Sequence, residues 1–304
     1  MGVVKNVMEM TWVEIRELDK GKTVLFVTIA PIEEHSHHLP LGTDIYEGER
    51  WRNDTIDNLS KKLPDYNLLY LPPIPIACAG IPRFYGSIHF KQSTVRQVIS
   101  ELLVDIAAMG IKNIIIIASH GDPQHQIAIE EACSKINRKY GICAFSPLGA
   151  FFSYQQLNID LEFPEKVEDT IKQYANDFHA GWIETSTMLD TINPLVGDNY
   201  RNLPDIEVKD TEMMFPGKIS KKIAGYGHIG YPRAADQSLG TLLNKNTSEY
   251  LVKAITAFIN RDNYQQFEHH FLYRIPILKT NFLRNIICGL VYLTVLGTIL
   301  MILL

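Results

Sequence analysis

The segment Lys22–Asp44, KTVLFVTIAPIEEHSHHLPLGTD, determines the predicted fold and the predicted site of this chain. Its first part, TVLFVTIA, is a continuous apolar run, which is typical of a strand that is covered on both faces. Its second part, Pro31–Asp44, places two glutamates, three histidines and an aspartate within fourteen residues. A solvated loop has no use for three histidines, whereas imidazole and carboxylate groups together bind zinc, manganese or iron. The segment therefore predicts a buried strand followed by a metal site.

Strand and helix patterns alternate along the chain. Thr11 followed by WVEIREL predicts a capped helix, because Glu14 completes a capping box. STVRQVISELLVDIAAMG repeats apolar residues at helical spacing and ends at Gly110. The other predicted elements are a helix in 46–63, strands in 66–77 and 111–118, a helix in 125–141, a strand in 142–148 and a helix in 251–267. This alternation predicts an α/β fold with a mostly parallel sheet flanked by helices, and residues 160–222 are predicted to be rich in loops.

Polar side chains follow two of the predicted strands at their carboxyl ends, where open α/β sheets bind ligands. One cluster follows Ala30, and the other follows the apolar run IIIIA. Glu33 and His35 point the same way if the chain stays extended, Asp44 follows after a short loop, and His120 lies in the second cluster. A bridging carboxylate, for which Asp44 is the candidate, permits two metals that share a hydroxide. Surface histidines that cluster without a metal are the alternative interpretation of this spacing.

The composition of the whole chain excludes several classes of protein. A net charge of −5, a pI near 6.1 and the lack of a basic run predict no nucleic-acid partner. The four cysteines are widely spaced without a CxxC pair, which predicts reduced thiols rather than a zinc ribbon or a disulfide framework. The N-terminal MGVVKNVMEMTWVEI lacks the apolar core and cleavage site of a secretory signal.

The C-terminal segment Asn285–Leu304, NIICGLVYLTVLGTILMILL, contains no charged residue. A helix of this length rises ~30 Å, which is the thickness of a hydrocarbon core, so the segment is predicted to span a membrane rather than to lie in a protein core. Arg274, Lys279 and Arg284 precede it, and the positive-inside rule then places the N-terminal part in the cytoplasm. The predicted organisation is a main domain at 1–265, a juxtamembrane linker at 266–284 and a single-pass tail anchor at 285–304, with the lipid bilayer as a partner.

Four segments resemble the creatininase (creatinine amidohydrolase) family. PIEEHSHHLPLGTD is similar to the family signature GSxEQHGPHLPLxTD, and IIIIASHGD is similar to the strand and histidine of its NGHGGN segment. DFHAGWIETSTML is similar to HAGxxETS, and GYGHIGYPRAA is similar to a GxxGxP segment. The segments follow the order of the family and cover about residues 8–260. The resemblance implies that the main domain is a three-layer creatininase-like metallohydrolase.

The resemblance also implies a centre of two divalent metal ions, zinc, manganese or iron, that Asp44 bridges. The implied ligands are Glu33, His35, Asp44, His120 and Glu184. His179 stands at the position of a proton-transfer histidine, and Glu184 is predicted to be catalytic as well as a ligand.

Three further residues receive weaker roles from the same resemblance. Asp122 stands where creatininase has a glutamate that is associated with the second metal, and it is a weaker ligand candidate. His38 aligns with a family histidine and is predicted to hydrogen-bond near the ligands. Trp182 lies within HAGWIETS and is predicted to line the pocket or to belong to the core.

The implied reaction is hydrolysis of a non-peptide C–N bond, in a cyclic amide or a formamide, through a hydroxide that both metals bind. Departures from the family at Glu34, Ser36 and SHGDPQ favour an unfamiliar small-molecule amide substrate. One alternative is a formamide hydrolase that acts on a pyrimidine intermediate of flavin or deazaflavin synthesis, with Arg83 and Lys91 near a substrate phosphate. Another alternative is a non-catalytic, membrane-tethered scaffold of creatininase-like fold. The family also implies a homo-oligomer.

Overall fold

A parallel sheet forms the centre of the chain. The computed structural model describes residues 2–79, 84–209, 212 and 216–303, with the backbone alone described at 216 and 296–303. The strands are β1 (Val4–Asn6), β2 (Thr23–Ala30), β3 (Asn67–Tyr70), β4 (Ile74–Pro75), β5 (Asn113–Ile117) and β6 (Cys143–Phe145). They form one sheet in the order β1-β3-β2-β5-β6, and β4 pairs with the last residues of β2. Every pair of neighbouring strands in the sheet is parallel.

Helices follow most of the strands, as expected for βαβ units. They are α1 (Trp12–Glu17), α2 (Thr43–Lys62), α3 (Gln92–Ala108), α4 (Pro123–Tyr140), α5 (Leu148–Phe151), α6 (Tyr154–Leu157), α7 (Glu165–Gln173), α8 (Trp182–Ile192), α9 (Pro216–Ile223), α10 (Gln237–Asn260) and α11 (Phe282–Leu303).

Both faces of the sheet are covered because the side chains of β2 alternate between them. Leu25, Val27 and Ile29 pack in one core with residues of α3 and α4. Val24 and Phe26 pack in a second core with residues of α2 and α10. All five side chains are 2 % exposed or less. The prediction of an α/β fold with a parallel sheet flanked by helices is confirmed, and its layers are helix, sheet and helix.

The local helix signals in the N-terminal part were informative. The capping box at the start of α1 is present, because the Thr11 side chain accepts the Glu14 N–H and the Glu14 carboxylate accepts the Thr11 N–H. Helix α2 begins at Thr43, three residues before the predicted start, so Asp44 lies in its first turn. An anionic side chain is favourable at that end of a helix.

Other boundaries differ from the prediction for identifiable reasons. The strand predicted at 66–77 consists of the two short strands β3 and β4, because Pro72 and Pro73 between them have no N–H to donate. Helices α7 and α8 lie inside the region predicted to be rich in loops. Helix α10 begins at Gln237, well before the predicted start at 251.

The predicted transmembrane helix at Asn285–Leu304 is wrong. Within the described residues, no helix has both the length and the apolar character that crossing a membrane requires. The lipid-bilayer partner and the single-pass localisation with a cytoplasmic domain depended on that helix, and they are corrected with it. The domain boundaries at 265 and 284 stay predictions.

Residues 267–280, the C-terminal strap, pack along α4 in the place of the predicted juxtamembrane linker. The His270 N–H donates to Glu130 Oε1 at 2.8 Å, and the Thr280 N–H donates to Glu131 Oε2 at 2.9 Å. Phe267 at the start of the strap is buried in the core between the sheet and α10. Glu130 is 1 % exposed, and burial raises its pKa although His269 lies close by. The strap therefore covers a buried carboxyl on the outer helical layer.

We expect the Glu130→Gln variant to lose part of the pH dependence of stability. Because the pKa of Glu130 is raised above its ordinary value near 4.5, its contribution to stability is complete below that value and is lost as the pH rises through the folded pKa. The free energy of unfolding in urea, measured from pH 5 to pH 8, should fall more steeply for the wild type than for the variant. Glu131→Gln on the same helix is the matched control, and equal slopes for the wild type and Glu130→Gln would contradict this account.

Candidate metal centre

The loop after β2 turns sharply so that its histidines point in different directions. Ser36 has a φ of 62°, in the left-handed region that favours glycine. Glu34 Oε1 accepts the Ser36 N–H, and Ser36 Oγ lies 3.1 Å from His228 Nδ1. These two contacts hold a serine in a conformation that costs energy for most residues. As a result His35 is fully buried, whereas His37 is exposed.

Glu33, Asp44 and His120 form a first group of candidate ligands. His120 Nδ1 lies 3.3 Å from Glu33 Oε2 and 3.5 Å from Asp44 Oδ1. All three residues are buried, at the ends of β2 and β5 and at the start of α2. Burial alone would lower the pKa of His120, but the charges of Glu33 and Asp44 raise it to about 10. Burial alone would raise the pKa of Glu33, but His120 and His89 hold it below its ordinary value.

His35, Asp44 and Glu184 form a second group. His35 Nε2 lies 3.3 Å from Asp44 Oδ2 and 3.7 Å from Glu184 Oε2. His35 Nδ1 lies 3.0 Å from the carbonyl oxygen of Glu33 and donates to it, which leaves the Nε2 lone pair facing the two carboxylates. Glu184 stands in the first turn of α8, where its carboxylate also accepts the Ala180 N–H.

Asp44 belongs to both groups, and each of its oxygens faces a different histidine. Oδ1 is directed to His120 and Oδ2 to His35. The carboxylate is 1 % exposed, and Ser119 Oγ donates to the Asp44 carbonyl oxygen at 2.6 Å. A carboxylate with its two oxygens in separate donor groups has the geometry of a bridging ligand.

The donor atoms fit a divalent cation. Among the described residues, Glu33 Oε2, His35 Nε2 and Asp44 Oδ2 are buried without a hydrogen-bond partner. Leaving a buried polar atom unsatisfied costs about 1–3 kcal/mol, and more when the group is charged. A cation bound by these nitrogen and oxygen atoms would remove that cost, and such a donor set suits zinc, manganese or iron.

His179 completes the cluster next to the second group. One of its ring nitrogens lies within 4.8 Å of donor atoms of Glu33 and His35, and the His35 and His179 ring centroids are 4.5 Å apart. His179 Nε2 donates to the Glu34 carbonyl oxygen at 2.7 Å. Burial would lower the pKa of His179, but the Glu34 carboxylate, 3.8 Å from Nε2, and the charges of Glu33 and Glu184 raise it to about 10. The structure thus brings together all six residues to which the sequence assigned the main roles.

The weaker candidates Asp122 and His38 make contacts outside the candidate ligand groups. Asp122 caps α4 by accepting the Gln124 N–H at 2.7 Å, and it belongs to none of the candidate ligand groups found among the described residues. His38 Nε2 lies 2.7 Å from Thr185 Oγ1, and burial followed by the charge of His228 lowers its pKa to about 3. His38 therefore links the loop after β2 to the start of α8.

Trp182 lies in the core rather than at the cluster. Its side chain is fully buried and packs with Val167 and Leu243, and its indole N–H donates to the Tyr174 carbonyl oxygen at 3.3 Å. Of the two basic residues near a predicted phosphate, Arg83 lies outside the described residues and Lys91 is exposed.

Sequence reasoning missed two side chains beside the ligands. His89 Nε2 lies 3.1 Å from Glu33 Oε1. The surrounding residues SIHF show no pattern that predicts contact with a ligand carboxylate. Glu47 is 2 % exposed, and burial together with the charge of Glu184 raises its pKa well above the ordinary value. Its position one helical turn after Asp44 is the signal that could have identified it.

A profile described as creatininase, creatinine amidohydrolase, matches residues 8–255. This chain belongs to the creatininase family. It is accordingly a metal-dependent amidohydrolase of that family. No curated protein matches the chain significantly.

Solved creatininase structures share the fold of this chain at low sequence identity. A tryptophan-to-alanine mutant creatininase has a TM-score of 0.65 at 16 % identity, over 85 % of this chain and 99 % of that one. A putative creatinine amidohydrolase from Bacteroides fragilis NCTC 9343 has a TM-score of 0.62 at 18 % identity, over 86 % of this chain and 98 % of that one. A manganese form of creatininase has a TM-score of 0.63 at 16 % identity, over 84 % and 98 %. Another mutant is described as a Zn–Zn type. The prediction of a divalent-metal cofactor is confirmed by the family and the donor set.

Asp177 fixes the segment that carries His179 and Glu184, because it binds the start of α8 and the loop at Tyr231. Its carboxylate accepts the Trp182 N–H at 3.0 Å, the Ile183 N–H at 2.9 Å and the Tyr231 N–H at 2.9 Å. A Cβ at Gly181 would lie 1.9 Å from Asp177 Oδ1, so glycine is needed for this close approach. Burial raises the pKa of Asp177 to about 7 despite these three donors.

We expect Asp177→Ala to destabilise the protein by about 2–4 kcal/mol, because three partly buried N–H groups lose their acceptor. The control is Asp169→Ala on α7, whose exposed carboxylate lies 3.5 Å from Lys172 and should change stability by less than about 0.5 kcal/mol. Urea unfolding of both variants measures the difference. Equal effects would show that the Asp177 contacts do not hold this segment.

Proposed function

We propose that this chain hydrolyses a non-peptide amide C–N bond with two divalent metal ions at the Asp44 cluster. The substrate class is a cyclic amide or a formamide, in line with the creatinine amidohydrolases whose fold it shares. The proposed ligands are Glu33, His35, Asp44, His120 and Glu184. The observation that carries the proposal is the division of the two Asp44 oxygens between two donor groups.

The proposed roles follow from the contacts of the side chains. Two cations at this position would lower the pKa of a shared water and polarise a substrate carbonyl. Glu33 and His120 would hold one ion, and His35 and Glu184 would hold the other. His179 is oriented by its bond to the Glu34 carbonyl oxygen, and a histidine held in this way can give a proton to the leaving nitrogen.

The two alternatives receive less support. A non-catalytic scaffold would not be expected to keep five donors and a proton-transfer histidine within one buried cluster. A formamide hydrolase that binds a phosphate receives no support from the predicted basic pair, because Arg83 lies outside the described residues and Lys91 is exposed. The homo-oligomer stays a prediction.

We expect about two zinc, manganese or iron ions per chain of the wild type, because the site has two donor groups. Asp44→Ala should reduce the content below one ion, since it removes the carboxylate that both groups share. Asp54→Ala is the matched control on the same helix, where Asp54 pairs with Arg50 away from the cluster, and it should keep both ions. Mass spectrometry of native protein measures the stoichiometry, and a wild type that binds no metal after incubation with each ion would contradict the proposal.

We expect His179→Asn to lower kcat by about 10²–10⁴-fold, the usual contribution of a positioned acid or base. The assay uses creatinine and a panel of cyclic amides and formamides that the wild type is first shown to hydrolyse. The metal content should be unchanged, because His179 is proposed to transfer a proton and not to bind an ion. Loss of a metal ion from this variant would make His179 a ligand instead.

A further inference from the structure

Glu47 is a buried carboxyl beside the metal cluster that the proposed reaction does not use. It is 2 % exposed and belongs to none of the candidate ligand groups among the described residues. Its carboxylate accepts a hydrogen bond from Thr187 Oγ1 on α8. A buried carboxyl is costly to maintain, so a specific contribution at this position is expected.

The Glu47–Thr187 contact lies at the same helical spacing from each of the two carboxylate ligands of the second ion. Asp44 and Glu184 stand in the first turns of α2 and α8. Glu47 and Thr187 follow them by three residues in each case, so both lie one turn further along their helix and on the same side. The contact therefore joins α2 to α8 one turn below the two carboxylates.

Further polar contacts continue the junction away from the cluster. Trp51 Nε1 donates to Asn244 Oδ1 at 2.9 Å, and Asn244 Nδ2 donates to the Thr187 carbonyl oxygen at 3.2 Å. Arg50 pairs with Asp190 at 3.2 Å between the same two helices. We call this line of contacts, from Glu47 to Asp190, the α2–α8 seam.

Helix α8 has little freedom to move away from the seam. A Cβ at Gly240 of α10 would lie 1.8 Å from the Ser186 carbonyl oxygen, so the two helices touch through their backbones. The position of α8 relative to α2 then depends on the side chains between them, of which Glu47 is the one nearest to Asp44 along α2.

We propose that Glu47 is a positioning residue that acts through Thr187 to fix the distance between Asp44 and Glu184. It thereby sets the affinity of the ion that His35 and Glu184 hold. This inference rests on the proposed two-metal function, and it predicts that the ion between Glu33 and His120 is affected much less. Outer contacts of metal ligands typically change affinity by about 10- to 100-fold.

The test measures zinc affinity of the full chain by competition with a chelator. Glu47→Leu and Thr187→Val should each weaken one of two ions by about 10- to 100-fold and leave the other within about threefold. The double variant should be no weaker than Thr187→Val, because that substitution already removes the Glu47 contact together with the hydroxyl's contacts to the Ile183 and Glu184 carbonyl oxygens. Glu47→Gln and Thr187→Ser keep a hydrogen bond between the positions and should bind both ions like the wild type.

The matched control is Thr55→Val, because Thr55 is buried on α2 without a hydrogen-bond partner for its hydroxyl among the described residues. It should leave both affinities unchanged. If Glu47→Leu does not fold, the zinc affinities of Thr187→Val and Thr187→Ser still compare a variant that loses the Glu47 hydrogen bond with one that keeps it. Two ions of unchanged affinity in Thr187→Val, or equal weakening of both ions, would overturn the inference while the two-metal function stands. A wild type that binds fewer than two ions would instead reject the proposed function.

Discussion

The burial of Asp44 between two histidines is the constraint on which the rest of the structure depends. A carboxylate that is 1 % exposed needs a compensating positive charge, because moving an ion out of water costs several kcal/mol. His120, whose pKa is raised to about 10, can supply that charge, and a cation held between Asp44, His35 and His120 would supply it when bound. The two histidines can reach Asp44 from two sides because β2 and β5 are parallel neighbours whose carboxyl ends meet at one edge of the sheet. The fold thus supplies the opposed histidines, and the start of α2 supplies the carboxylate between them.

The part of this arrangement that could be predicted from the sequence is local. An apolar run covered on both faces predicts β2 from composition alone, and the Glu33, His35 and Asp44 spacing follows within the same loop. Helix α8 could not be predicted in this way, because WIETSTMLDTI is rich in threonine and serine, which are weak helix formers. It is held instead by Asp177, which accepts the N–H groups of its first two residues, and by the His38–Thr185 contact, which joins segments 147 residues apart. Glu184 was therefore found through family resemblance and not from periodicity.

The C-terminal part shows what composition leaves undetermined. The absence of charge in Asn285–Leu304 predicts a membrane-spanning helix, whereas no helix among the described residues has both the length and the apolar character for one. The strap before this segment is held by main-chain donors that meet Glu130 and Glu131 on α4. In the sequence these glutamates belong to the polar side of an amphipathic helix. Their role depends on a partner segment that lies more than a hundred residues away.

Two departures from the family signature, at Glu34 and Ser36, can be understood as one coordinated change. Ser36 replaces a glycine and needs support in its left-handed conformation, and Glu34, which replaces a glutamine, accepts its N–H. His228 contacts the Ser36 hydroxyl, while a Cβ at Gly227 would lie 1.7 Å from Glu34 Oε1. The loop before Ile229 and the loop after β2 are thus fitted to each other, and each change alone would leave a strained residue or a steric conflict. Because this contact network lies beside the ligands and not among them, the walls of a pocket can change while Glu33, His35 and Asp44 keep their positions. The proposed ligands and the proposed change of substrate therefore depend on different residues of the same loop.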